Sequence, residues 1–191
     1  YVSYGPEIRM AHGVPVVVKT YEKNDFALDP DDLEKAITPK TKAILLNFPC
    51  NPTGATLTYE QTEKIAKIAV RHNLIVLADH IYTELTYGEM TPSIATFPGM
   101  KERTVFLHGF SKAFAMTGFR LGYACGPAEI IDAMMKIHQY SMLCASITAQ
   151  EAALEALRSG KKDMLAMKAD YRDRRNVIVK RLNEMGLKCF L

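Results

Sequence analysis

Residues 111–123 read SKAFAMTGFRLGY, and this stretch decides the predicted fold and chemistry of the chain. The apolar and aromatic run that precedes it, residues 104–108, predicts a buried strand ending at Gly109. Lys112 would then stand just past that strand, where partial desolvation favours the neutral amine, a nucleophile toward carbonyl groups. Ser111 and Arg120 offer a hydroxyl and a guanidinium, which are groups that bind phosphate. A carbonyl compound that carries a phosphate would therefore engage both halves of the stretch.

The same residues closely resemble the lysine signature of class I/II pyridoxal-phosphate aminotransferases, the fold type I enzymes of the aspartate aminotransferase superfamily. The resemblance implies that Lys112 binds the aldehyde of pyridoxal 5'-phosphate covalently and that Ser111 and Arg120 hold its phosphate. Many members have another hydroxyl three residues before the lysine, where this chain has Gly109. That departure implies one phosphate ligand fewer. A solvated lysine in an ordinary strand and turn is the alternative for Lys112 taken alone.

Composition is that of a globular protein with a sizeable core, because 48% of the 191 residues are hydrophobic. The 24 basic and 21 acidic residues give a formal charge of +3 and are spread along the chain, which does not favour nucleic-acid binding. Asp170 and Asp173 interrupt the basic cluster of Arg172, Arg174 and Arg175, a pattern typical of a solvated helix face. No apolar run is long enough for a membrane helix.

The four cysteines are far apart and form no C-x-x-C pair, so the sequence predicts neither a zinc site nor a disulfide framework. The histidines show no metal-ligand spacing, and we expect no metal. Reduced cysteines and the lack of a secretory leader favour the cytoplasm. Because the chain opens at Tyr1 and stops at Leu191 as a new apolar run begins, we expect a fragment of a longer protein.

Strands and helices alternate in the predicted secondary structure. Besides the strand before Gly109, apolar or β-branched runs predict strands at residues 14–20, 42–48, 74–79 and 119–125. Capping signals and apolar periodicity predict helices ending near residue 11 and at 30–37, 58–72, 127–141, 148–157 and 161–185. We expect Ile130, Ile131, Met134 and Ile137 to face inward on one long helix, and Met164, Tyr171, Ile178 and Met185 on the last. This order predicts an α/β fold with a doubly wound, mostly parallel sheet, and a ligand crevice at the carboxyl ends of its strands.

Three further segments support the resemblance. Residues 49–54, PCNPTG, follow a predicted strand and are typical of a tight turn. They also resemble the family's N-P-T-G signature, which implies that Asn51 donates to the cofactor's ring oxygen and that the Asn51–Pro52 bond is cis. At the chain start, the resemblance implies that Tyr1 stacks on the cofactor ring, although a surface tyrosine fits that position as well.

The strand at residues 74–79 ends on a carboxylate, Asp79. A surface turn would explain a terminal aspartate, but Asp79 and Tyr82 also resemble the family's D-x-x-Y signature. This resemblance implies that Asp79 pairs with the ring nitrogen and that Tyr82 donates to the ring oxygen. His80 stands where many members have glutamate. We expect it to influence the cofactor through neighbouring residues at most, without touching it. Asn51, Asp79 and Lys112 should converge from three neighbouring strands.

Taken together, the signatures imply an aminotransferase of the aspartate or aromatic type that passes the amino group to a 2-oxo acid such as 2-oxoglutarate, and a homodimer. Two alternatives remain, a C–S lyase of the same fold and the aminotransferase-like effector domain of a transcription regulator. The resemblance also implies that residues 1–160 form most of the cofactor-binding large domain. Residues 161–191 would be a connecting helix and the start of a small domain that is largely missing, with Cys189, Phe190 and Leu191 as its first strand.

Overall fold

One four-stranded sheet organises the structure, a computed structural model that describes residues 1–90 and 92–190. Its strands are β1 (Ala43–Asn47), β2 (Ile75–Asp79), β3 (Thr104–Gly109) and β4 (Gly122–Cys125). They lie side by side in chain order, with β1, β2 and β3 parallel and β4 antiparallel to β3. The predicted α/β fold with a mostly parallel sheet is confirmed, and the reversal of strand order that marks a doubly wound sheet does not fall among these four strands.

Seven α-helices accompany the sheet in the described part of the chain. They are α1 (Tyr4–Met10), α2 (Pro30–Lys35), α3 (Tyr59–Arg71), α4 (Phe110–Ala113), α5 (Ala128–Ser141), α6 (Ile147–Ser159) and α7 (Lys161–Glu184). All except the short α4 were predicted, with ends that differ by a few residues. Across the described residues, no helix has both the length and the apolar character that crossing a bilayer requires.

The predicted capping box starts α3. The Thr58 hydroxyl accepts from the Gln61 backbone N–H at 3.2 Å, while the Gln61 side-chain oxygen accepts from the Thr58 N–H at 2.9 Å. This reciprocal pair satisfies two N–H groups that a helix start otherwise leaves without partners. The apolar stripe that follows includes Ile65 and Ala69, which are fully buried and pack with Val76 of β2 in the main core cluster. Helix α3 therefore covers one face of the sheet.

The strand predicted at residues 14–20 is wrong. The segment forms no ladder with a neighbouring strand, and Val14, Val16 and Val17 are 85%, 67% and 80% exposed. β-branched residues favour extended backbone, but a strand also needs a hydrogen-bonded neighbour. No such neighbour lies beside this segment within the described residues.

The inward faces predicted for the two long C-terminal helices are also largely wrong. On α5, Met134 is 38% and Ile137 71% exposed, and none of the residues of α5 is buried. On α7, Met164 is buried, but Ile178 and Met185 are 55% and 72% exposed. A stripe of apolar side chains becomes core only where another element covers it, and the packing of α7 against α6 leaves Ile178 and Met185 exposed.

Two further strand predictions differ from the structure. A short 3₁₀ turn occupies Thr117–Phe119 and Arg120 has left-handed backbone, so the strand expected from residue 119 begins at Gly122. Near the C-terminus, Cys189 and Phe190 form no strand, and Leu191 lies outside the described residues. The Cys189 N–H instead donates to the Asn183 side chain at 3.0 Å. The division of the chain at residue 160 stays a prediction.

Candidate active site

The carboxyl ends of the three parallel strands meet at one edge of the sheet. Asn47 at the end of β1 is in register with Asp79 at the end of β2, and Asp79 is in register with Leu107 of β3. The segments that follow these strands therefore leave the sheet side by side. Each of them carries one of the predicted signatures.

Three of the predicted side chains contact one another in series at this edge. Lys112 lies in α4, directly after β3, and its Nζ stands 5.7 Å from the centre of the Tyr82 ring. The Asn51 Nδ2 group donates to the Tyr82 hydroxyl oxygen at 3.0 Å. The Asn51–Pro52 peptide bond is cis, as predicted. A primary amine, a phenol and a carboxamide thus come together from segments that are far apart in the sequence.

Asp79 is held through both of its carboxylate oxygens. The Ile81 backbone N–H donates to Oδ1 at 3.0 Å, and the hydroxyl of Tyr4 donates to Oδ2. The Tyr1 ring packs edge-on against the Tyr4 ring, with 5.5 Å between centroids. Burial raises the pKa of Tyr4 above its ordinary value, and the hydrogen bond to the Asp79 carboxylate raises it further. The phenol is therefore protonated and acts as the donor.

Arg120 follows the lysine on an unusual backbone. Its φ is +53°, a left-handed conformation that few residues other than glycine adopt. The side chain is exposed, and its Nη1 donates to the Thr117 carbonyl at 2.7 Å. Ser111 is half-buried beside Lys112. The structure thus places Ser111 next to the amine, but among the described contacts the Arg120 guanidinium binds neither of them.

Gly109 lies where a side chain would meet close neighbours. A Cβ there would lie 3.1 Å from the Ile81 side chain, 3.2 Å from the Leu121 carbonyl oxygen and 3.3 Å from the Gly122 Cα. Strands β3 and β4 approach closely at the Gly109–Gly122 pair. A side chain at residue 109 would therefore require these neighbours to shift slightly.

A row of four stacked rings, which we call the ring row, lies close to the Asp79 segment. His80 stacks on Phe106 at 4.8 Å between centroids, Phe106 on His108 at 5.9 Å, and His108 on Tyr123 at 5.6 Å. The His80 ring is buried and contacts the Thr83 hydroxyl through Nδ1 at 3.0 Å. Burial, followed by the nearby His108, lowers the pKa of His80 to about 4. His80 is therefore neutral near pH 7.

The sequence prediction missed Tyr4 and the ring row. Tyr4 stands three residues after Tyr1, so on a helical turn the two rings share a side, and this spacing was the available signal. It could not show which distant side chain Tyr4 would contact. His80 and His108 carried no metal spacing and gave no sign that Phe106 would stand between them.

The chain is similar to known aminotransferases along its whole length. It matches the family described as aminotransferase class I and II over residues 1–191. It is 53% identical to the putative aminotransferase YugH of Bacillus subtilis over 99% of this chain and 49% of that protein. It is 46% identical to aromatic-amino-acid aminotransferase 2 of Thermococcus litoralis over 98% of this chain and 49% of that protein.

A solved structure agrees. The aromatic aminotransferase from Pyrococcus horikoshii OT3 superposes with a TM-score of 0.93 at 46% identity, covering 97% of this chain and 51% of that one. The chain therefore belongs to the class I and II aminotransferase family. It spans about half the length of the curated relatives that it matches.

Buried neutral His80 makes stability depend on pH. Its folded pKa of about 4 lies below the ordinary value of 6.5, so between these values the unfolded chain binds a proton that the folded chain does not. The free energy of unfolding should therefore fall as the pH falls below 6.5, by about 2 kcal/mol at pH 5 from this group. Urea unfolding of the full-length protein and its His80→Gln variant at pH 7 and pH 5 measures this contribution.

The loss between pH 7 and pH 5 should be smaller in His80→Gln by about that amount. His12→Gln, at an exposed position, is the matched control and should keep the full pH dependence. Equal losses in the His80 variant and the unmodified protein would show that His80 is not buried in its neutral form.

Proposed function

We propose that the full-length protein is a pyridoxal-phosphate-dependent aminotransferase that moves the amino group of an amino acid of the aspartate or aromatic type to a 2-oxo acid such as 2-oxoglutarate. The observation that carries the proposal is the series of contacts among Lys112, Tyr82 and Asn51 at the strand ends, with Asp79 in register beside them. Relatives that are named aspartate and aromatic aminotransferases support the substrate class.

The residues at this edge fit pyridoxal phosphate by their chemistry. An amine can bind an aldehyde, a carboxylate can pair with a protonated ring nitrogen, and a phenol and an amide can hydrogen-bond a ring oxygen. A hydroxyl and a guanidinium can hold a phosphate. Asp79 is the last residue of β2, and the other five groups come after β1, β2 or β3, at the edge where ligands bind in open α/β sheets. When bound, pyridoxal phosphate supplies an aldehyde that takes up the substrate amine and an electron-withdrawing ring that stabilises the carbanion left at the substrate Cα.

Lys112 has two tasks in this proposal. Its Nζ holds the cofactor covalently before the substrate arrives. When its Nζ is free, that amine would accept the proton from the substrate Cα. The Tyr82 ring beside Nζ limits where the amine can go, because the two groups already stand 5.7 Å apart. The same side chain therefore serves for binding and for proton transfer.

The remaining residues orient the reacting groups. The Asp79 carboxylate favours the charged form of the ring nitrogen, since a nearby anion stabilises a cation. Asn51 and Tyr82, already joined by a 3.0 Å hydrogen bond, act together on the ring-oxygen side. Ser111 and Arg120 hold the phosphate, and Tyr1 packs on the ring. Left-handed backbone at Arg120 costs free energy, and such strain is often found at functional sites.

We also propose that the full-length protein is a cytoplasmic homodimer. Apolar side chains on and after α5 support an interface, because Ile137, Tyr140 and Leu143 are 71%, 87% and 79% exposed. The four cysteines, all of them free, are consistent with a reducing compartment.

The activity itself is tested with the full-length protein, pyridoxal phosphate and a panel of amino acids. We expect aspartate or an aromatic amino acid to release its 2-oxo acid and 2-oxoglutarate to become glutamate, both quantified by mass spectrometry. Pyruvate and ammonia from a cysteine-like substrate would identify a C–S lyase instead. Binding of the cofactor without any turnover would favour the regulator domain.

The role of Arg120 is tested by comparing two cofactors. Arg120→Ala should weaken the binding of pyridoxal phosphate by about 30-fold or more, because a charge-assisted phosphate contact is lost. Binding of pyridoxal, which has no phosphate, should change little. Arg174→Ala removes an exposed arginine of α7 that pairs with Asp170 and should affect neither cofactor. Equal weakening of both cofactors by Arg120→Ala would remove Arg120 from the phosphate site.

A further inference from the structure

Tyr4 makes a hydrogen bond that the proposed reaction does not yet use. Its hydroxyl donates to Oδ2 of Asp79, a residue 75 positions away. Both groups are partly buried, so the hydrogen bond lies in a region of reduced solvent screening. Hydrogen bonds between a neutral donor and a carboxylate are among the stronger ones in proteins.

The Asp79 carboxylate has one donor on each oxygen. The Ile81 backbone N–H on Oδ1 comes from the adjacent turn and would orient the group only from one side. The Tyr4 hydroxyl on Oδ2 comes from α1, an element outside the sheet. With donors on both oxygens, rotation of the carboxylate about its terminal bond is restricted.

Helix α1 lies on the surface of the protein. None of its seven residues is buried. The side chain of Tyr4 connects the helix to the end of β2 through its hydrogen bond to Asp79. The Tyr1 ring lies edge-on against the Tyr4 ring. The segment therefore brings an aromatic ring and a phenol donor to the same side of the strand ends.

We propose that Tyr4 is a positioning residue that acts through Asp79, fixing the carboxylate in the orientation that pairs with the ring nitrogen of the cofactor. The inference rests on the proposed function, because it assigns Asp79 to that nitrogen. Tyr4 itself touches neither substrate nor cofactor in this role. A residue that only attached α1 to the sheet would leave the ring nitrogen unaffected.

A double-mutant cycle in the full-length protein tests the inference, with the variants Tyr4→Phe, Asp79→Asn and the two combined. Tyr4→Phe removes the hydroxyl and keeps the ring, so the fold should be retained, which circular dichroism checks. We expect Tyr4→Phe to weaken pyridoxal phosphate binding by about tenfold, the effect of losing one hydrogen bond to a charged group. In the Asp79→Asn background the same change should alter affinity by less than about twofold, since Tyr4 would have no carboxylate to position.

The second measurement is the ¹⁵N resonance of ring-labelled pyridoxal phosphate bound to each protein. In Tyr4→Phe it should move toward the value of an unprotonated pyridine, because a misoriented carboxylate holds the ring proton less well. Tyr59→Phe is the matched control, since Tyr59 lies at the start of α3 with its ring on Phe97, and it should change neither affinity nor resonance.

The outcomes separate the inference from the function on which it rests. If Asp79→Asn weakens binding and shifts the resonance but Tyr4→Phe does neither, the inference is wrong and the proposed function stands. A tenfold effect of Tyr4→Phe that persists in the Asp79→Asn background would show that Tyr4 acts independently of Asp79, which also overturns the inference. If Asp79→Asn changes neither affinity nor resonance, both the inference and the assigned role of Asp79 fail.

Discussion

Parallel pairing of β1, β2 and β3 is the constraint on which the rest of the structure depends. Because parallel strands end at the same edge, Asn47, Asp79 and Leu107 lie in register there. The signatures that contain Asn51, Asp79 and Lys112 each begin at the end of one of these strands or within a few residues of it. Residues as far apart as Asn51 and Lys112 are therefore brought to one side chain, Tyr82, by backbone hydrogen bonding rather than by any direct attraction between them.

The site places one well-satisfied anion at the same sheet edge as an amine, a phenol and an amide. Asp79 accepts hydrogen bonds on both oxygens, from Ile81 and Tyr4, so its orientation is set before any ligand is present. The neighbouring His80 is buried in the ring row with a lowered pKa, and it is neutral near pH 7. Asp79 thus has no cationic imidazole beside it that would compete for its charge. This arrangement leaves the carboxylate available to a cationic ring nitrogen.

The sequence was sufficient where a local pattern decides the structure. Strands β1 to β3 are short continuous apolar runs, and the capping box of α3 is visible in Thr58 and Gln61. It failed where burial depends on a distant neighbour. Val16 has the β-branched side chain of a strand residue but no adjacent strand among the described residues, and Ile178 has helical spacing but is 55% exposed. Tyr4 was missed for the same reason, because its partner Asp79 is specified by the fold rather than by spacing.

The central claim is that Lys112 is the amine that joins the cofactor. Borohydride reduction of the full-length protein loaded with pyridoxal phosphate converts the bond between the lysine and the cofactor aldehyde into a stable secondary amine. Proteolysis and mass spectrometry then locate the labelled residue. We predict that the label lies on Lys112 in the peptide that contains Ser111. A label on any other lysine, or no label at all, would contradict the assignment of this site.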